Sequence, residues 1–145
     1  MISRMDWLSY VSQINWLAVL LAFVATMAIG FVWYMPSVLG NRWMAAIGKT
    51  EDDLKNISGG AGIWVPMMAA AALTAVLLAV LITRLGLDSA VAGGFFALVA
   101  GLVFRAGGHV IHNGFAGRPA AVTLIDSGHD MVAMTVAGAI IGGMS

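Results

Sequence analysis

Four stretches of this sequence are apolar for long enough to cross a bilayer, and no other feature limits the fold as strongly. A membrane helix needs about 20 mostly apolar residues to cross about 30 Å of hydrocarbon. Residues 16–34 hold no charged side chain and close on the pair Trp33-Tyr34, an aromatic end of the kind found at membrane interfaces. Residues 62–83 are also uncharged, with Trp64 near one end and Arg84 just beyond the other. The uncharged run at 90–104 is short, so a third span must continue through Arg105 towards His112. The fourth, 120–144, is interrupted by Asp126, His129 and Asp130.

Composition agrees with this reading. Of 145 residues, 61% are hydrophobic and 10% charged, and the mean hydropathy is +0.94. Seven basic and seven acidic side chains cannot cover the surface of a soluble domain of this size. They also cancel, which removes the basic footprint of a nucleic-acid binder. With no cysteine, disulfides, thiolate zinc sites and iron–sulfur clusters are excluded. The expected fold is an all-α integral membrane domain covering 1–145. Its four transmembrane helices, at about 15–35, 62–83, 89–113 and 120–143, form two antiparallel hairpins.

The connections carry their own patterns. Residues 1–14 place Met5, Trp7, Leu8, Val11 and Ile14 among Arg4, Asp6 and serines, which predicts an amphipathic segment at the membrane surface. In the long loop 36–61, Pro36 ends the first helix. Val38, Leu39, Trp43, Met44 and Ile47 then recur at helical spacing, predicting a short interfacial helix. Thr50 before Glu51, Asp52 and Asp53 reads as a helix cap with acids in the first turn. Residues 84–89 make a tight turn, and Gly114, Gly117 and Pro119 mark another.

Basic residues predict the orientation. Arg4 and Arg84 fall on the side of the termini, whereas Arg42, Lys49, Lys55 and Arg118 fall on the other. The positive-inside rule then places the termini in the periplasm and the first loop in the cytoplasm of a bacterial inner membrane.

Two ridges at steps of four mark the third and fourth spans. One runs Gly93, Ala97, Gly101, Arg105, His109; the other runs Asp126, Asp130, Met134, Gly138, Gly142. Folded antiparallel about Gly117-Arg118, the ridges align Gly93 with Gly142, Ala97 with Gly138, and Gly101 with Met134. The same register aligns Arg105 with Asp130 and His109 with Asp126. Small residues let membrane helices approach closely, and opposite charges meet where a single one would be costly. An Arg105–Asp130 ion pair and a His109–Asp126 hydrogen bond are therefore expected within the bundle.

Three chemistries fit this intramembrane cluster of Arg105, His109, His112, Asp126, His129 and Asp130. As a structural lock it would fix helix register. As a relay, its carboxylates and imidazoles could pass protons or ions. As a redox site, His109, His112 and His129 could ligate a metal or haem, although no metal-binding motif such as H-E-x-x-H is present. No cofactor is demanded by any motif. Trp7, Trp16, Trp33, Tyr34, Trp43 and Trp64 stand near span ends and read as interfacial anchors.

Several segments together resemble a known family. They are Asn15-Trp16-Leu17-Ala18, Trp33-Tyr34-x-Pro36, Gly40 with Trp43, and Gly48-x-Thr50-Glu51-Asp52-Asp53-Leu54. Gly117-Arg118-Pro119 and Leu124-Ile125-Asp126-x-Gly128 complete the set. In this order they resemble domain-of-unknown-function family 1761, small bacterial proteins with predicted membrane spans. The resemblance runs from Asn15 to Gly143 and implies topology without implying an activity. Family members read Asn-x-Gly-Tyr-His in the fourth span, whereas this chain reads Asp126-Ser127-Gly128-His129-Asp130, with Asp130 at the histidine position.

The resulting expectation is a non-enzymatic structural or accessory subunit, acting as a homo-oligomer or bound to a larger membrane complex. The rival is a small transporter or proton/ion-translocating protein. A histidine-ligated redox subunit is a third reading.

Overall fold

The computed structural model describes residues 9, 11–58 and 60–145, and among these there are helices and turns but no strand. The amphipathic segment expected over 1–14 lies largely outside the described residues. Four helices are long and apolar enough to cross a membrane: Trp16–Trp33, Gly62–Arg84, Ala90–Phe115 and Ala120–Gly143. The chain is a multi-pass membrane protein.

The first span, α1 (Trp16–Trp33), begins at Asn15, whose Oδ1 accepts from the backbone N–H of Leu17 and Ala18 at 3.1 and 3.2 Å. That side chain satisfies two of the N–H groups that any helix start leaves without a partner. Its Nδ2 donates to the Met144 carbonyl at 2.9 Å, tying the start of α1 to the end of the chain's last helix. Beyond Tyr34, Met35 takes the extended conformation that a following proline favours.

A wide turn at Pro36–Gly40 follows, closed by the Gly40 N–H donating to the Met35 carbonyl at 2.9 Å. The sequence predicts an ordinary helix here. Only glycine fits at position 40, because a Cβ would overlap the Tyr34 carbonyl. Two short helices complete the loop, α2 (Asn41–Ile47) and α3 (Glu51–Ser58). α2 ends at Gly48, whose φ of 68° is the left-handed conformation that glycine adopts without steric cost.

The second span lies in α4 (Ala61–Arg84). The third is built from α5 (Ala90–Ala100) and α6 (Gly107–Phe115), joined by a widened segment at Gly101–Ala106. Within it the Gly107 N–H donates to Leu102, five residues back, so the helix carries a π-type bulge. The fourth span is α7 (Ala120–Gly143).

α7 is the hub, packing on α1, α4 and the whole third span. Along α5 the contact is backbone to backbone. A Cβ at Gly93 would overlap the Gly138 carbonyl, and one at Gly138 would overlap Ala97. Gly142 lies against Gly93 and the Ser89 carbonyl. Small residues at matching heights thus replace the hydrophobic drive that lipid does not provide. The buried core is correspondingly thin: Ala18, Ala22, Ala75, Ala79, Ala97 and Ala137, with Ile82 and Ile141 as larger members. By contrast α4 and α5, although joined by a short turn, touch only sparsely and leave a cleft between them.

Candidate functional site

The polar cluster forms where α7 passes the bulged part of the third span. Asp130 is its centre, 7% exposed and the one buried charged residue among those described. Arg105 donates through Nε to Oδ2 at 3.0 Å and through an Nη to Oδ1 at 3.4 Å. His109 Nε2 meets Oδ2 at 3.1 Å, and His129 Nδ1 meets Oδ1 at 3.0 Å. An ionised carboxylate only accepts, so both imidazoles donate to it. One carboxylate therefore gathers three donor side chains from two spans, as a buried charge must if it is to be stable.

The expected His109–Asp126 hydrogen bond is corrected by the structure: His109 turns to Asp130 instead. Two causes account for it. Side chains lean towards the N-terminus of their own helix, so on antiparallel helices His109 and Asp130 lean towards each other. The bulge also inserts an extra residue into the turn just before Gly107, displacing the regular spacing for everything after it. Asp126 is engaged elsewhere. Its Oδ1 accepts from the Tyr34 hydroxyl at 2.7 Å. His112 is exposed on the outer face of α6 and joins neither carboxylate.

Spacing alone marks the aromatic residues at the end of α1 as interfacial anchors, yet they pack on α7. Trp33 Nε1 donates to the Ile125 carbonyl at 3.1 Å, and its ring lies edge-on to His129 at 6.2 Å between centroids. The Tyr34 ring stands 5.4 Å from His129 and 5.5 Å from Trp43. The Trp33 ring reaches close to Gly128, where a Cβ would lie 3.1 Å from it. His129 is therefore enclosed by Trp33, Tyr34 and Gly30. Its Nε2 is buried beside Gly30, with no hydrogen-bond partner among the described residues. Periodicity could not place Trp33 and Tyr34 at this site, because span-end aromatics face lipid or protein with the same spacing.

A cavity of about 240 Å³ opens beside the cluster between α1, α4 and α7. Arg105, His129 and Asp130 form its polar wall, with Thr26, Thr74 and Met134 among the remainder. Arg105 belongs to a second space as well, the apolar cleft between α4 and the third span. As for the histidine-ligated metal or haem reading, His109 and His129 approach opposite oxygens of Asp130, and His112 is exposed on α6. Among the described residues no group of three or more His, Asp or Glu side chains stands where one metal ion could be held.

Comparison with known proteins bears on the whole chain. A family model described as "Protein of unknown function (DUF1761)" matches residues 17–142. The chain belongs to the DUF1761 family. No curated protein matches it, and no solved structure does.

Proposed function

We propose that this DUF1761 protein is a non-enzymatic membrane subunit whose polar cluster locks the fourth span to its neighbours. In this reading the spans form two antiparallel hairpins in a bacterial inner membrane. The termini lie in the periplasm, and α2 and α3 rest in the cytoplasmic interface. The observation that carries it is the saturation of Asp130: Arg105, His109 and His129 all donate to one carboxylate. Tyr34 and Trp33 fasten α1 to the same stretch of α7. A group held by this many partners suits a register lock better than a group that must exchange ligands. The protein works as a homo-oligomer or within a larger membrane complex, and native mass spectrometry in mild detergent reports which.

The lock makes an asymmetric prediction. Removing one partner of a buried ion pair costs about 3–5 kcal/mol, whereas replacing both by apolar groups is often neutral. Arg105→Leu or Asp130→Leu alone should lower the thermal midpoint in detergent, and the double variant should recover the part due to the stranded charge while His109 and His129 still lack their acceptor. A double variant as unstable as the worse single one would overturn the lock.

A second reading rests on the cavity that Arg105, His129 and Asp130 share. A space at membrane depth with a charged group of side chains on one wall suits a small solute or proton path. Proteoliposomes should then show a flux that Asp130→Asn abolishes; wild-type vesicles as tight as empty ones would remove this alternative.

A further inference from the structure

The cleft between α4 and the third span ends on a cation. Its volume is about 490 Å³, within the range of small-molecule sites, and Leu77, Leu81, Phe96, Val99, Val103 and Phe104 form most of its wall. Arg105 is the charged residue on that wall. It stands ten residues before the end of the span at Phe115, about 15 Å along the helix axis, and so lies within the hydrocarbon layer. Yet its side chain is 48% exposed. Nε and one Nη donate to Asp130, while the other Nη has no acceptor among the described residues. Uncommitted N–H donors are costly at this depth, where lipid tails offer no acceptor.

Charge selects what could satisfy them. Asp130 already neutralises Arg105, so a carboxylate or phosphate head would bring an uncompensated negative charge into a medium of low dielectric. A carbonyl oxygen accepts a hydrogen bond and adds no charge. Phe96 and Phe104 provide ring surface for a flat head, and the leucines and valines suit an apolar tail. We propose that this cleft binds a membrane-dissolved quinone, its carbonyl oxygen accepting from the free Nη of Arg105 and its tail lying along α4. Binding alone is inferred, and it does not depend on whether the Asp130 cluster locks the bundle.

The test is photolabelling of the protein in nanodiscs with an azido-quinone, followed by peptide mapping. Saturable labelling at 77–81 and 96–104, competed by decylubiquinone, is the expected result. Arg105→Leu should weaken labelling at least tenfold, the effect of losing one charge-assisted hydrogen bond of about 1.5 kcal/mol or more. Because that change also disturbs the Asp130 cluster, Ala100→Phe serves as a second variant. It fills the cleft, leaves Arg105 and Asp130 in place, and should abolish labelling. Labelling spread evenly over lipid-facing positions such as Leu73 and Phe95 would overturn the proposal. So would labelling unaffected by Ala100→Phe, or an azido fatty acid that displaces the quinone. Failure here with an intact double-leucine rescue would leave the lock standing, and the reverse result would separate the two equally well.

Discussion

At the scale of single residues, the seam between α5 and α7 has the least tolerance. Gly138 touches the Gly93 carbonyl and the Ala97 methyl, so even one added methyl group has nowhere to go. The obstacle at Gly93 is backbone, which cannot rotate aside as a long side chain would. Gly138→Ala should therefore destabilise the fold by about 1–3 kcal/mol, the usual cost of overpacking a filled core. Gly108→Ala is the matched control, since a Cβ there meets nothing within 4 Å. Thermal unfolding in detergent compares the two, and equal midpoints would show that the seam is looser than these contacts imply. Tyr34→Phe makes a different demand. It keeps the ring against His129 and Trp43 but removes the hydroxyl that donates to Asp126. A loss of about 1–3 kcal/mol is expected for a partly buried carboxylate deprived of a donor. Asp126→Asn in the same background should restore part of it, because an amide tolerates the lost donor better than a carboxylate. No restoration would mean that the loss does not act through the Asp126 carboxylate.

At the scale of elements, α3 tests how far a cap determines a helix. Thr50 and Asp53 grip each other: the Thr50 N–H and hydroxyl both donate to Asp53 Oδ2, at 2.8 and 2.7 Å. The Asp53 N–H donates back to the Thr50 hydroxyl at 3.2 Å. The backbone N–H of Thr50, then its hydroxyl, holds the Asp53 carboxyl below the usual aspartate range. The folded value is thus lower than the unfolded one. The cap's contribution is complete above the unfolded value and is lost as pH falls through the folded one. Hydrogen exchange at 51–55 should show protection that declines as pH falls below the ordinary aspartate value of about 4 and on through the lower folded value, beyond the intrinsic pH effect on exchange. Asp53→Asn should flatten that decline, and an unchanged profile in the variant would assign the effect elsewhere. This element was legible in the sequence because a cap is a local event, written in adjacent residues. The bulge at 101–106 was not legible. A widened turn changes the hydrogen-bonding partner of each N–H without altering apolar periodicity, and Gly101, Gly107 and Gly108 permit such a turn without requiring it. That is why the i, i+4 ridge aligns Arg105, inside the widened segment, with Asp130 but misplaces His109, which follows the whole extra residue. Trp33 and Tyr34 illustrate a second limit. Spacing says where along a span a residue sits, but the face it presents depends on how the helices pack.

At the scale of the whole molecule, four crossings impose a parity that can be checked without any partner or substrate. If all four apolar helices cross, positions in α3 and in the 116–119 turn share one side, and the turn before α5 lies on the other. The chain contains no cysteine, so single cysteines can be introduced into an otherwise silent background. Asn56, Asp88 and Ala116 are exposed and carry none of the Lys or Arg charges that set orientation, so replacing them leaves the charge bias intact. Intact cells treated with a membrane-impermeant maleimide should label Asp88→Cys alone. Asn56→Cys and Ala116→Cys should become reactive only once the membrane is opened. The inverse pattern would keep the four crossings and reverse the orientation, showing that a bias of two basic residues against four was overruled. Different reactivity at 56 and 116 would instead break the parity itself. The third span is where it would break, since it is the one that must carry Arg105 through hydrocarbon with Asp130 as its counterion. A cell-surface label at positions 88 and 116 with none at 56 would therefore show that the Arg105–Asp130 pair does not hold the third span across the membrane.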